Sequence, residues 1–403
     1  MQTLSLNAPS DRHVDVADGL RVLFIFIIGW YHIWQQSWLS PNITIGSFRL
    51  DIYPLVRTGY MWVDGMLLLS GFLTFLPYAR AMYDRTPLPD AMSFYRRRAA
   101  RILPAYWFCL AVVLFCDALP GGAYTSFPAL MQDLLSHLTF THTFFYASYY
   151  GTHLNVVLWT LAVEVQFYLI FPLLARAFVK RPAVTWLAMV AAAFLFRCWA
   201  TWGAPSNMLW FNQLPAFLDI YALGFLGAWI YVGMTRSIKP SPALQLLMTV
   251  LCVLICWALW QLVLRQHYIS GYEELRDMQM RNRFALGALI TMLILCASWS
   301  VDALRWLLSN RLMRFLSAIS FQFYVWHQYL AVWLRKWNIP YSASALPNQD
   351  GELIWQWKYT LLAFAVALLA ATAVTWLIER PAQRLILQSA DRKHQQGPEG
   401  GAS

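Results

Sequence analysis

Arg21 and His32 stand eleven residues apart in a run that is otherwise almost wholly apolar. In a helix that spacing is close to three turns, so the two side chains share a face and lie about 16 Å apart along the axis. A guanidinium at the mouth of such a face and an imidazole deeper along it suit an anionic substrate and a proton acceptor. Asp18, one turn before Arg21, is placed to hold its guanidinium. A second cationic pair lies in FYRRRAAR at 94–101, where Arg98 and Arg101 share a helix face just before Pro104. Two forked guanidiniums on one face suit phosphate recognition, and the alternative is a cluster of arginines that merely fixes membrane orientation. Asp64, Glu164, Arg197 and His327 also interrupt apolar runs. An ionisable group inside a bilayer costs roughly 2.5–3.5 kcal/mol on insertion scales, so each belongs either to a site or to a salt bridge between helices.

The elements that carry these groups are membrane spans. Hydrophobic residues make up 59% of the 403 and charged residues only 12%, against roughly 25% charged in a soluble domain. Apolar runs long enough to cross a bilayer fall at about 20–38, 61–79, 102–119, 156–178, 184–202, 214–233, 243–264, 284–302, 315–334 and 358–378. This predicts an all-α, polytopic bundle of about ten spans. With the N-terminus inside, the segments on the cytoplasmic side hold 20 of the 30 Lys and Arg residues and the outer segments nine, counting Arg276, Arg281 and Arg283 among the latter. That bias follows the positive-inside rule and puts both termini in the cytoplasm. The expected organisation is a cytoplasmic segment at 1–19, a transmembrane domain at 20–380 and a cytoplasmic tail at 381–403, disordered from about Asp391.

Several function classes fall away. The net charge of +10 is spread over short loops between apolar runs, which argues against a nucleic-acid partner. The six cysteines lie inside apolar runs and suggest neither a disulfide framework nor a zinc site. His137, His142 and His153 lack a zinc-ligand spacing, so no metal is expected. Residues 1–18 carry no cleavage-site pattern, and the first span is expected to act as its own signal. No internal repeat supports a transporter built from inverted halves. The segment 120–155 has no Lys or Arg but many aromatic residues, among them Tyr146, Tyr149 and Tyr150. These suit either sugar stacking or an interfacial aromatic belt.

In order along the chain, these segments resemble the acyltransferase-3 family of membrane acyltransferases. The resemblance rests on Arg21 to His32, Arg98 to Arg101 and WTLAVEVQFY at 159–168, with VDGMLLLSGF at 63–72, SFQFYVWH at 320–327 and IERP at 378–381. It departs from the family at Val22-Leu23-Phe24, commonly Gly-Ile-Ala, and at Thr160, often Ser. Neither change removes an ionisable group. The resemblance implies transfer of an acyl group, usually acetyl, from cytoplasmic acyl-coenzyme A to a hydroxyl of a cell-surface glycan or related acceptor. The setting would be the bacterial cytoplasmic membrane, and the form stand-alone, without the family's extracellular hydrolase-like extension. It implies that Arg98 and Arg101 bind the donor's phosphates and that Arg21 positions it. His32 would take the proton or carry the acyl group, and Glu164 would orient the imidazole or bind the acceptor. Asp18, Asp64, Tyr168, His327 and Glu379 are further candidates. The rival reading is a transporter or flippase of a lipid-linked glycan, with the buried charges as a proton relay. A purely structural membrane component is a third.

Overall fold

A computed structural model describes residue 9 and residues 14–45 and 48–395. Ten helices of 20 residues or more make up the bundle: α1 Asp15–Ser37, α2 Val63–Asp84, α3 Ala91–Val113, α4 Trp159–Lys180, α5 Pro182–Trp202, α6 Leu218–Ser237, α7 Pro242–His267, α8 Tyr272–Ser298, α9 Arg311–Lys336 and α10 Leu353–Val374. A two-stranded antiparallel hairpin, β1 Asn42–Ile45 with β2 Phe48–Asp51, lies between α1 and α2. The starts of several helices follow from side chains that satisfy their free N–H groups. Asp90 accepts from Ser93 N at 2.7 Å to open α3, Ser241 from Leu244 N at 3.2 Å to open α7, and Asn310 from Met313 N at 3.0 Å to open α9.

Among the described residues, nine helical segments are long and apolar enough to cross a membrane. The exception among the ten long helices is α9, whose Arg311, Arg314, Gln322, His327, Gln328, Arg335 and Lys336 dilute its apolar content. It packs chiefly against α1 and α10, which also touch each other through Phe26 and Phe364. By contrast, α7 turns Leu246, Val250, Val253, Leu254 and Trp257 outward. Such a face is stable against hydrocarbon, where the helix already satisfies its own backbone. This is a multi-pass membrane protein.

Two starts differ from the sequence expectation. α3 begins at Ala91, so Arg96 to Arg101 form its first turns instead of preceding it. α8 begins at Tyr272, which places Arg276, Arg281 and Arg283 in the helix, and Arg283 is fully buried instead of lying in an outer loop. Both starts are polar, so a hydropathy criterion begins too late. At the ends, α1 already starts at Asp15, inside the expected 1–19 segment, and a helix runs over Arg380–Gln395, past the point where disorder was expected. The remainder of that expected disorder, 396–403, and residues 1–8 and 10–13 lie outside the described residues.

Two close approaches set the geometry of the bundle. At Gly224 a Cβ would stand 2.7 Å from both Leu68 O and Phe72 N, so only glycine lets α6 lie against α2. At Gly29 a Cβ would stand 2.6 Å from the Phe323 ring. That contact brings α9 against α1 one turn before His32.

The apolar core also encloses an ion network. Arg283 on α8 donates to Asp64 on α2 at 3.2 Å, and Arg197 on α5 grips Asp219 on α6 through two bonds of 3.0 and 2.6 Å. Both arginines also donate to Ala216 O, and the Arg283 guanidinium lies 3.9 Å over the Phe217 ring. Asp64, a site candidate on sequence grounds, is therefore one partner in a fully buried salt bridge joining helices, and neither it nor Arg283 lines either of the large cavities described below.

Between α3 and α4 the chain folds into a cap around Asp133. Its Oδ2 accepts from Tyr124 at 2.8 Å, Thr152 at 3.0 Å and His153 N at 3.1 Å, and Oδ1 pairs with His137 at 3.2 Å. Burial by itself would raise the Asp133 pKa, but His137 and the other donors hold it below the usual carboxylate value. Burial, with His137 beside it, pushes His142 well below the usual histidine range, so it is neutral at neutral pH. The two rings stack 4.0 Å apart. Gln166, from the α4 motif, pins this cap by donating to Phe140 O at 2.9 Å.

Candidate active site

Two cavities lie one above the other along α1. The inner one holds about 920 Å³ of empty space and is lined by Arg21, Ser70, Arg98, Arg101, Glu164 and Tyr168 among apolar neighbours. The outer one holds about 1550 Å³ and is lined by His32, Gln35 and a set of aromatic rings. Val63 and Tyr324 line both, so their side chains form the wall between them. A smaller cavity of about 700 Å³ continues from the inner one past Arg98 and Arg101 and adds Arg97.

Five of the sequence-predicted residues converge on the inner cavity from three helices. Arg21 comes from α1, Arg98 and Arg101 from α3, and Glu164 and Tyr168 from α4. Arg21 Nη1 lies 4.0 Å from Asp18 Oδ1, and Ser317 bridges the two, accepting from Arg21 at 3.3 Å and donating to Asp18 at 2.7 Å. The expected Asp18–Arg21 pair is thus relayed through α9. Glu164 Oε1 accepts from Ser70 Oγ at 2.5 Å and from Tyr168 OH, and Ser70 lies 2.8 Å from Tyr168 OH. The Arg98 guanidinium stacks 4.9 Å from the centre of the Tyr168 ring. The Glu164 carboxylate is therefore anchored within the inner cavity by two hydroxyls.

His32 lies on the other side of the wall. It shares α1 with Arg21 but lines only the outer cavity, so the single channel expected from their spacing is two chambers. The group that orients His32 is Gln35, not Glu164: His32 Nδ1 meets Gln35 Oε1 at 3.0 Å, and Gln35 Nε2 donates to Tyr31 OH at 3.0 Å. With its Nε2 donating, Gln35 presents an acceptor, so His32 carries its proton on Nδ1 and keeps the Nε2 lone pair. His327 stands beside it, ring centres 5.1 Å apart. Its Nδ1 lies 2.7 Å from Tyr324 O and 3.1 Å from Phe323 O, and because carbonyls only accept, Nδ1 must bear the proton. Its Nε2 is buried without a hydrogen-bond partner among the described residues. Tyr324 is fixed in the wall by Thr160, which donates to its hydroxyl at 2.6 Å, and by its own donation to Val157 O at 2.9 Å.

Glu379 is not part of either large cavity. It accepts from Gln322 at 2.7 Å and ties the helical turn after α10 to α9. Of the aromatic residues at 146–150, Tyr149 and Tyr150 line the outer cavity, whereas Tyr146 is exposed and does not. Sequence reasoning missed Gln35, Ser70, Ser317 and Tyr324. Ser70 and Tyr324 lie inside motif segments that drew attention for their charged members, and Gln35 could have been found one turn after His32.

The chain matches the family described as acyltransferase domain over residues 15–380. It belongs to the acyltransferase-3 family. Among curated relatives of this membrane acyltransferase chain, O-acetyltransferase OatA of Staphylococcus aureus (strain NCTC 8325 / PS 47) is 29% identical over 179 residues, which is 43% of this chain and 26% of that protein. Peptidoglycan O-acetyltransferase OatA of Listeria monocytogenes is 23% identical over 339 residues, 79% of this chain and 49% of that protein. The matched regions thus span between a quarter and a half of those relatives. No solved structure matches the chain.

Proposed function

We propose that the protein moves an acyl group, acetyl foremost, from acyl-coenzyme A in the inner cavity to a hydroxyl of a glycan in the outer cavity. The observation that carries this reading is the pair of chambers with a shared wall: Arg21, Arg98 and Arg101 with Glu164 on one side, and on the other the His32 imidazole among aromatic rings, its Nδ1 held by Gln35. The inner cavity opens to the cytoplasm in this reading, as the lysine and arginine bias requires, and both termini lie there. The relatives' printed names, O-acetyltransferase and peptidoglycan O-acetyltransferase, support the reaction and a glycan acceptor.

Coenzyme A is a polyanion with a long, flexible thioester arm. Arg98 and Arg101 line both the inner cavity and the smaller one beyond it, so they are placed to bind phosphates at the junction while the arm extends toward the wall. Arg21, fixed through Ser317, positions the arm further in. The acceptor oxygen attacks the thioester carbonyl, the new C–O bond replaces the C–S bond, and His32 Nε2 takes the hydroxyl proton. That proton then goes to the departing sulfur, which leaves as the thiol. Either the thioester passes Val63 and Tyr324, or a histidine at the wall carries the acyl group across. Glu164, with Ser70 and Tyr168, lies on the donor side and is placed to orient the thioester end, not the imidazole.

Purified protein given radiolabelled acetyl-coenzyme A and a glycan is expected to release free coenzyme A and label the glycan covalently. Uptake of glycan into vesicles with no covalent change would instead support a transporter. Arg98→Ala and Arg101→Ala should each weaken donor binding by about 1.5–3 kcal/mol, the worth of a charge-assisted contact. That is a rise of roughly 10- to 150-fold in the donor dissociation constant, with membrane insertion intact. Unchanged donor affinity in both variants would make these arginines orientation signals only.

A further inference from the structure

The charges of the outer cavity point to what it accepts. Among the described residues only two charged side chains line it, Arg57 and Arg276, and no carboxylate does. Among the described residues neither arginine has a carboxylate within salt-bridge distance. Arg57 Nη1 donates to His267 O at 2.6 Å, which anchors the guanidinium and leaves other N–H groups on its fork. The Arg276 guanidinium lies 6.0 Å from the centre of the Phe211 ring. Two like charges on one cavity whose lining holds no carboxylate to offset them repel, and the bond to His267 O uses only one N–H of the Arg57 fork. With the inner cavity facing the cytoplasm, these arginines also lie on the face where the positive-inside rule disfavours them, so orientation does not account for them.

The remaining lining fits a sugar. Tyr31, Trp34, Tyr149, Tyr150 and Trp159 offer ring faces, and Asn212 and Gln279 offer polar ends. We infer that the acceptor is an anionic saccharide, stacked on these rings, with a carboxylate or phosphate held by Arg276 and Arg57 and a hydroxyl presented to His32. The inference rests on the reading of the outer cavity as the acceptor site and adds the acceptor's charge. Arg276 and Arg57 are specificity-determining residues in this account, and His32 remains at the chemistry.

The test uses the full-length protein in detergent or nanodiscs and three acceptors: a short oligouronate, the same oligosaccharide after carboxyl reduction, and a phosphorylated neutral oligosaccharide. Binding is measured directly, and kcat/KM is measured with acetyl-coenzyme A. At least one anionic acceptor is expected to exceed the neutral one by about ten-fold or more in both measurements, as expected for a charge-assisted contact. The anion that shows the preference identifies its source as carboxylate or phosphate. Arg276→Gln is expected to bring the ratio of anionic to neutral acceptor toward one, and Arg276→Lys to restore part of it. Equal use of all three acceptors by the wild type, or a ratio unchanged in both Arg276→Gln and Arg57→Gln, overturns the inference and leaves the transferase reading standing. Arginine-dependent binding of the anionic sugar with no transfer to any acceptor would remove the transferase reading and, with it, the inference about its acceptor, leaving an anionic-sugar site of another function. Absence of both binding and transfer would end both.

Discussion

His32→Gln is expected to give a folded, membrane-inserted protein that binds acyl-coenzyme A normally but has lost about 100-fold or more of its transfer rate. Gln keeps polarity and approximate size, so it can still meet Gln35, but it offers no basic nitrogen at the outer cavity. Donor affinity should survive because the arginines that line the inner cavity lie across the Val63–Tyr324 wall from His32. The measurement is a pair: donor binding by equilibrium titration, and transfer by label incorporation under saturating donor. Transfer close to wild type would remove His32 from the chemistry. Loss of folded protein would make it a structural hydrogen-bonding residue. Gln35→Leu is a milder version of the same experiment, since it frees the tautomer without removing the base.

The largest expected effect on stability belongs to Asp64→Ala. Arg283 has Asp64 as its carboxylate partner in a pair that is completely buried between α2 and α8. Removing one member of a buried pair leaves an uncompensated charge, which costs about 3–5 kcal/mol. Thermal unfolding of the purified protein should therefore shift down strongly, while any protein that remains folded keeps its donor affinity. Adding Arg283→Leu should recover part of the loss by removing the stranded charge. Recovery should be incomplete, because Phe211 O and Ala216 O lose a donor. A stable Asp64→Ala variant with lost transfer would instead return Asp64 to the active site.

What could be read from the sequence, and what could not, divides along physical lines. A charge in an apolar run is costly enough to stand out, which is why Arg21, Glu164 and His32 were visible and why Arg21 and Glu164 do converge on one cavity. Which charge faces which is a matter of packing. Asp64 and Glu164 look alike in sequence, yet one is buried against Arg283 and the other is held by Ser70 and Tyr168 at a cavity. Neutral polar residues such as Gln35 and Tyr324 cost little in a helix and so stand out only through their neighbours, Gln35 one turn after His32 and Tyr324 within the 320–327 segment, although one orients His32 and the other walls it off. The wall itself was not legible, because helix spacing puts Arg21 and His32 on one face but says nothing of what packs between them. Arg283 was misplaced because the first turns of α8 are polar and resemble a loop until the helix is seen whole.

The central claim is that donor and acceptor enter from opposite faces of the membrane and meet at the Val63–Tyr324 wall. Sealed proteoliposomes test it directly, with acetyl-coenzyme A and a membrane-impermeant glycan acceptor placed together on one side or separately on two. Random insertion of the protein does not matter, since one orientation serves each separated arrangement. The account predicts acylated glycan whenever the substrates are on opposite sides, none when both are outside, and return of activity on the same side only after detergent opens the vesicles. Acylated glycan formed in intact vesicles with both substrates outside would contradict it.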